Sequence, residues 1–505
     1  MLESVVKKIL ASRVYDIALE TPLQDAPNIS ARLGHRVALK REDLQPVFSF
    51  KVRGAYNKMA RLAGKDRDRG VVAASAGNHA QGVALAAQRL GIRAHIVMGR
   101  NTPSIKVDAV RNLGAHIVFA GDTYQQAADH AVKLSKSRGY VLVHPYDDAD
   151  VIAGQGTVGM EIMNQHPGPD AIFVPVGGGG LIAGIAAYVK YLRPETRMVG
   201  VEAEGSACLA AALEAGRRVR LPLDTLDVFA DGVSVAQIGR APFRIAKDHV
   251  DEVVTASIDE ICAAVKDVFD DTRSIAEPAG ALAVAGLKKY AERHARLHDQ
   301  RYVAVVSGAN VNFDRLRHIS ERAELGEHRE AIFGVTIEET RGSFRRFCRT
   351  LGQRSVTEFN YRYAGDDEAH VYVGLQITTD ETRSSVAQSL RGDGYRVTDL
   401  TDNEAAKLHV RHMVGGRGVG NKNELLYRFE FPERPGALLR FLNGLGSRWN
   451  ITLFHYRNHG AAWGRVLAGF EARPQDRARL STYLDRIGYR YWEETGNPAV
   501  ELFLR

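Results

Sequence analysis

The sequence is poor in the features that mark several whole classes of protein. Cysteine occurs three times in 505 residues, at Cys208, Cys262 and Cys348. No two of them form a Cys-x-x-Cys pair, so neither a zinc site nor a disulfide framework is expected, and a reducing cytoplasm is the simplest compartment. Long runs of one charge are missing too. The densest basic cluster, SFRRFCR at 343–349, alternates with aromatics and reads as the solvated face of a helix. The net charge of +7 is small for this length, so no nucleic-acid partner is expected, although an acidic small ligand is compatible with it. Residues 171–189 carry no charge over 19 positions, the length of a membrane span. Pro175 and four consecutive glycines interrupt them, and lipid would leave the broken backbone unsatisfied. No membrane partner is expected. The N-terminal MLESVVKKILASRVYD contains acidic Glu3 and no long apolar core, so a signal peptide is not expected.

What is present is ordinary globular composition, 45% hydrophobic and 25% charged residues. From about 70 to 310, short apolar runs alternate with amphipathic stretches. GVVAAS (70–75), RAHIVM (93–98), AIFVPV (171–176), RMVGVEAE (197–204) and YVAVVSG (302–308) read as strands. HAQGVALAAQRLG (79–91) reads as a helix with a glycine stop, and TPSIKVDAVRNLG (102–114) as one with Thr102 at its N-cap and Pro103 in its first turn. Apolar strands joined by helices predict an α/β fold with open, mostly parallel sheets covered on both faces.

The pattern changes after residue 330. FGVTIEE, GSFRRFCRTLG and SVTEFNYRY predict strand, helix, strand, and the order returns in LYRFEFPE, PGALLRFLNGLG and NITLFHYRN. Gly342 and Gly436, Phe347 and Phe441, and Gly352 and Gly446 are each 94 apart, whereas FNYR at 359 and FHYR at 454 are 95 apart. One residue is inserted in a duplicated α+β unit. The glycine-rich GGRGVGNKN (415–423) reads as a linker between the copies. The expected domains are 1–325, 331–403 and 426–496.

Four short stretches carry chemistry. VGGGGLIAG (176–184) follows a strand and opens a helix. Its glycines let several N–H groups converge on one anion at a helix N-terminus, and the spacing fits a single phosphate rather than a triphosphate or a dinucleotide. ASAGNHAQG (74–82) lies at another strand-to-helix junction, where open parallel sheets bind ligands. Its N–H groups from Ser75 to His79 would face the crevice. Asn78 reads either as a helix cap or as a ligand contact, and His79 more as a structural than as a catalytic residue. VVSGANVNF (305–313) ends a strand with Ser307, by itself a turn residue. SFKVRGA (49–55) places Lys51 between Phe50 and Val52. A lone lysine is ordinarily exposed. Beside a one-phosphate loop and two crevice loops, it reads instead as a desolvated amine able to condense with an aldehyde.

In this order SFKVRGA, SAGNHAQG, VPVGGGG and SGANVNF resemble the fold-type II pyridoxal 5′-phosphate (PLP) enzymes, whose fold is like that of the tryptophan synthase β chain. The length, EPAGALAVAGLKKY (277–290) and the duplicated C-terminal units resemble the biosynthetic threonine dehydratases, or threonine deaminases, over nearly the whole chain. The resemblance implies β-elimination of L-threonine to 2-oxobutanoate and ammonia, the first committed step of isoleucine biosynthesis, with L-serine as a secondary substrate. It implies Lys51 as the cofactor lysine and catalytic base, Phe50 against one ring face and Asn78 at the ring hydroxyl. Gly177, Gly178, Gly179, Gly180 and Leu181 would hold the phosphate, and Ser307 would face the pyridine nitrogen. Ser75, Ala76, Gly77, Asn78 and His79 would hold the substrate. The two C-terminal units resemble ACT-like regulatory domains, with isoleucine and valine as effectors, Tyr361 and Tyr456 as effector contacts, and a homotetramer as the assembly.

No metal is assigned. Relatives carry a cation site near an acidic strand end; here VEAEGSAC (201–208) offers Glu202, with Cys208 where some relatives have a second acid. In racemases of this fold a serine occupies the position of Ala76. Three other readings compete: another fold-type II activity such as serine racemase, a non-enzymatic amino-acid sensor, and an NAD(P)-binding enzyme. The duplicated tail opposes a catabolic dehydratase among the first, the joint presence of lysine, glycine loop and serine opposes the sensor, and the glycine spacing opposes the NAD(P) reading.

Overall fold

The computed structural model describes residues 2–166, 168–326, 330–338, 346–347, 350–351, 356–361, 368–377, 382–412, 423–432, 441, 449–457 and 463–504. The chain divides into two compact units, Met1–Ala323 and Glu324–Arg505. Among the described residues no helix is long and apolar enough to cross a membrane.

The first unit contains two sheets. Its strands are β1 (Leu23–Asp25), β2 (Arg36–Arg41), β3 (Val71–Ala74), β4 (Ala94–Met98), β5 (His116–Phe119), β6 (Val141–Leu142), β7 (Ala171–Pro175), β8 (Arg197–Ala203), β9 (Glu252–Ala256) and β10 (Arg301–Val306). The larger sheet runs β1-β2-β10-β7-β8-β9 and is parallel except for β1; the smaller runs β5-β4-β3-β6 and is parallel throughout. Strand β7 is buried at every position. Its side chains alternate between faces: Phe173 packs with the helices Ile258–Thr272 and Pro278–Arg293, whereas Ile172 and Val174 pack with Gly180–Leu192. Both faces of the strand are therefore apolar, which produced the unbroken hydrophobic run in the sequence.

The helix Lys51–Ala60 packs on the helices Asn78–Leu90 and Ala149–Gln165. Glycines permit the close crossing. A Cβ at Gly154 would lie 2.7 Å from the Arg53 carbonyl oxygen, and one at Gly82 would lie 3.1 Å from the Lys51 carbonyl carbon. One predicted helix start is displaced. The helix runs Ser104–Arg111, and the Thr102 hydroxyl donates to the Gly99 carbonyl at 2.7 Å instead of capping it. Pro103, with ψ of 140°, is still extended backbone.

The second unit holds β11 (Glu330–Glu338), β12 (Val356–Tyr361), β13 (Glu368–Gln376), β14 (Arg396–Asp399), β15 (Glu424–Pro432), β16 (Asn450–Arg457), β17 (Trp463–Glu471) and β18 (Arg490–Glu493). They form two antiparallel sheets of the same order, β12-β13-β11-β14 and β16-β17-β15-β18. The duplication is visible in the registers. Thr336 pairs with Arg396 and Glu430 with Arg490, an offset of 94 on both strands. Bulges fall between Val356 and Glu358 and between Ile451 and Leu453, an offset of 95. The inserted residue therefore precedes β16. Phe347 and Phe441 are fully buried in their respective cores. Most of the predicted helices 342–352 and 436–446 and of the linker lies outside the described residues.

The copies share a layer. Asn403 and Asn497 cap the helices Glu404–Leu408 and Pro498–Phe503, and the Asn403 amide donates to Asn497 Oδ1 at 2.9 Å. Ile332, Tyr372, Leu426 and Leu467 pack there with Ala406, Val410, Val500 and Phe503. Each sheet thus buries one face against its own helical layer and the other against this common one.

Candidate active site

Three of the four predicted stretches converge by direct hydrogen bonds. The Phe50 N–H donates to the Ser307 carbonyl at 3.2 Å, and the Ala309 N–H donates to the Phe48 carbonyl at 2.9 Å. Phe48 adopts φ of 54°, a conformation that side chains rarely take and that holds the turn before Lys51. Asn310 donates to Asn78 Oδ1 at 2.7 Å and to the Val47 carbonyl at 2.8 Å. The loops before Lys51, around Asn78 and after β10 form one crevice wall.

Lys51 is the first residue of its helix. Its amine donates to the Pro145 carbonyl at 3.3 Å and lies 4.9 Å from the Phe50 ring centre. Burial pushes its pKa from 10.5 down to about 8, and the Glu277 carboxylate opposes the shift. The neutral amine is therefore reached at a lower pH than in an exposed lysine.

The next residue along from Pro145 links this amine to the glycine loop. A Cβ at Gly178 would overlap the Tyr146 ring, and one at Gly180 would lie 3.0 Å from Tyr146 Cβ. Gly179 has φ of 86° and caps the helix Gly180–Leu192. Gly178 accepts from the Gly239 N–H at 3.0 Å, and Gly177 from the Cys208 thiol at 3.4 Å. With these carbonyls engaged, the N–H groups from Gly178 to Leu181 have no acceptor among the described residues. The backbone is arranged as an anion cradle at a helix N-terminus. Leu181 is buried in the core beneath it.

The Asn78 stretch differs from its sequence reading in detail. Gly77 is the N-cap, and Asn78 sends its side chain across the crevice to Glu277 Oε1 at 2.6 Å. It is not a helix cap. The Ser75 N–H is spent on the Val97 carbonyl and the Gly77 N–H on the Ser75 hydroxyl, which leaves Ala76, Asn78 and His79 as free donors among the described residues. His79 Nε2 lies 2.8 Å from the Val143 carbonyl, so this nitrogen bears the proton, while Nδ1 is buried with no partner among the described residues. Burial and the nearby Lys51 lower its pKa to about 3, so it is neutral and cannot serve as an acid near pH 7.

Ser307 is 3% exposed and its hydroxyl donates to the Ala279 carbonyl at 3.2 Å. Glu202 spends both carboxylate oxygens on the N–H groups of Leu209 (2.7 Å) and Ala210 (2.9 Å). Tyr361 and Tyr456 pair with Val371 and Val466 on edge strands, but their side chains lie outside the described residues.

Three site residues escaped sequence reading: Glu277, Asn310 and Tyr146. Glu277 and Asn310 lie inside motifs noted for other reasons, but only the fold shows that they meet Asn78. A desolvated amine, a one-anion cradle and an orphaned buried imidazole nitrogen together fit a small aldehyde bearing one phosphate.

Comparison with known proteins agrees with this fit. Residues 14–308 match the family described as pyridoxal-phosphate dependent enzyme. Residues 321–410 and 415–504 each match the C-terminal regulatory domain of threonine dehydratase. The chain is 54% identical over 503 residues, 99% of both chains, to L-threonine dehydratase biosynthetic IlvA of Burkholderia multivorans. It is 48% identical over 515 residues, 99% of this chain and 89% of the other, to the mitochondrial threonine dehydratase of Saccharomyces cerevisiae. Among solved structures it resembles the processed form of threonine deaminase isoform 2 from Solanum lycopersicum, with a TM-score of 0.62, 48% identity, and coverage of 64% of this chain and 93% of that one. Maize serine racemase gives a TM-score of 0.59 and 32% identity over 65% of this chain and 98% of that one.

Proposed function

We propose, on the premise that this chain belongs to the family of pyridoxal-phosphate-dependent enzymes and carries the threonine dehydratase regulatory domain in two copies, that it is a threonine ammonia-lyase. It converts L-threonine to 2-oxobutanoate and ammonia at the head of isoleucine biosynthesis, in the cytoplasm, with L-serine as a second substrate. The observation that carries this reading is the desolvated Lys51 amine. It is joined through Pro145 and Tyr146 to an N–H cradle that has no acceptor among the described residues. The direct test is assay of 2-oxobutanoate after mixing the purified protein with threonine.

In this reading Lys51 would hold the cofactor aldehyde, Gly177 to Leu181 its phosphate, Asn78 its ring hydroxyl, Phe50 one ring face and Ser307 its nitrogen. Bound there, the cofactor supplies an electron sink for the pair released when the Cα–H bond breaks. The protein does the rest. The free N–H groups of Ala76, Asn78 and His79 receive the substrate carboxylate. Lys51 Nζ, set free when the substrate amine takes its place at the aldehyde, takes the Cα proton. The β-hydroxyl leaves with the Cβ–O electron pair, takes up the proton held on Lys51 and departs as water, and the released enamine hydrolyses to 2-oxobutanoate and ammonia. Ser307, a neutral hydroxyl, cannot hand over a full proton as an aspartic acid would, which favours prompt elimination over a long-lived carbanion.

Racemisation needs a second proton carrier on the far face of the substrate. Ala76 carries none, and the neutral His79 has its one N–H on a backbone carbonyl. L-Serine should therefore yield pyruvate with D-serine only a minor product, measured by chiral chromatography. Comparable yields would refute the assignment.

The catalytic part spans 1–325, and the units at 331–403 and 426–496 are regulatory, with isoleucine as inhibitor, valine as second effector and a homotetramer as the working assembly. Tyr361 and Tyr456, at matching places in the repeat, are the proposed effector contacts. A ligand inhibits only by binding the less active conformation more tightly, with a coupling of about 1–3 kcal/mol being usual. A chain ended near Glu330 should remain active and lose its response to isoleucine. Full inhibition of that shortened chain would place the effector site in the catalytic unit.

A further inference from the structure

Glu277 is 4% exposed and ends the loop before the helix Pro278–Arg293. It stands at the N-cap position of that helix, and its side chain makes no capping bond to the helix. Instead Oε1 accepts from the Asn78 amide at 2.6 Å, and Asn78 in turn accepts from Asn310. Two glycines keep the space around this chain of bonds clear. A Cβ at Gly308 would lie 2.5 Å from Glu277 Oε1, and one at Gly232 would lie 3.7 Å from it and 2.9 Å from Ala279 Cβ.

The charges around Glu277 are unequally distributed. Asp231 is the like charge acting on it, and the cations Lys106 and Arg315 are both ion-paired to Asp231. Burial and Asp231 raise the Glu277 carboxyl to about 7. The Glu277 charge also acts on the Lys51 amine, and the other titratable groups coupled to that amine are His79 and His144. Both histidines are driven towards the neutral form, mainly by burial.

We infer that Glu277 is a positioning residue of the reaction: it fixes the Asn78 amide at the crevice wall, and its carboxylate steadies a positive charge on the Lys51 nitrogen. Such a group lets the lysine nitrogen keep the proton it takes from substrate for long enough to complete the turnover. This inference rests on the reading of Lys51 as the cofactor lysine.

The test uses full-length holoenzyme and the variants Glu277→Gln and Glu277→Asp. Visible absorbance of the lysine-bound cofactor is followed against pH. In Glu277→Gln the midpoint should fall by about one pH unit, because removing a nearby opposite charge disfavours the cationic nitrogen. Glu277→Asp keeps the charge but shortens the reach to Asn78, so its midpoint should match the wild type while kcat falls about tenfold or more. An unshifted midpoint in Glu277→Gln overturns the electrostatic part, and wild-type kcat in Glu277→Asp overturns the positioning part. If Glu277→Gln does not fold, the Glu277→Asp result decides. Borohydride reduction and peptide mapping separate the two levels of failure: label away from Lys51 sinks the cofactor-lysine reading, whereas label on Lys51 with both variants like wild type sinks only this inference.

Discussion

Lys51→Ala should lose turnover by about a thousandfold or more, since one substitution removes both the covalent anchor of the cofactor and the base for the Cα proton. Borohydride should fix the cofactor to the Lys51 peptide in the wild type and to no peptide in the variant. Label on another lysine would contradict the assignment. The same substitution has a second expected effect, of opposite sign, on stability. The amine is lowered from 10.5 to about 8 in the folded chain, chiefly by burial. Below pH 8 the folded state must carry a desolvated ammonium, at a cost on the order of 3 kcal/mol. Between about 8 and 10.5 the folded state gives up its proton first, and the cost fades. Cofactor-free wild type should therefore gain stability as pH rises through that window, and cofactor-free Lys51→Ala should not. Parallel urea midpoints for the two proteins from pH 7 to 10 would contradict this.

Arg53→Met should destabilise the catalytic unit by about 3–5 kcal/mol, the usual consequence of leaving buried charge without its partner. Arg53 is fully buried and bonds Glu42 at 2.7 and 2.8 Å and Glu161 at 2.5 and 2.9 Å, with further bonds to Thr157 and the Leu19 carbonyl. Lys40 pairs with Glu161 at 2.6 Å and completes the cluster. Without the guanidinium, that one ammonium faces two buried carboxylates. The pH dependence carries a sign. Burial alone pushes the Glu42 carboxyl up, but Arg53, with Thr21 and Lys40, holds it below its ordinary 4.5. In the wild type this contribution is present above pH 4.5 and fades as pH falls. In Arg53→Met the balance reverses, so protonation relieves the buried charge and the deficit should shrink between pH 7 and 5. Urea unfolding at both pH values measures it; a deficit that grows on acidification would contradict the argument. The location gives the cluster its importance, because Arg53 lies two residues after Lys51 and ties the start of that helix to the helix Ala149–Gln165.

Much of this protein is written in local order. The strands around Ile172, Val199 and Val303 were legible because a parallel sheet buried on both faces demands unbroken apolar runs. The glycine cradle was legible because N–H groups can converge on an anion only where the backbone is free of side chains, and Gly177 to Gly180 are consecutive. The regulatory duplication was legible as a near-constant spacing, and the strand registers repeat it at 94 from β11 to β15 and from β14 to β18 and at 95 from β12 to β16. What stayed hidden was every interaction made across the fold. Thr102 and Asn78 both looked like helix caps, yet each side chain found a partner outside its helix. Arg53 meets Glu161 from 108 positions away, and Asn78 meets Glu277 from 199. The helices Glu404–Leu408 and Pro498–Phe503, too short to show a periodicity, became the layer that the two regulatory copies share. The sequence by itself therefore determined the elements, the duplication and the identity of Lys51 as the reactive candidate. Only the tertiary structure decided how that lysine is charged, because desolvation and the field of a distant carboxylate are properties of the enclosed space around an amine and not of its neighbours along the chain.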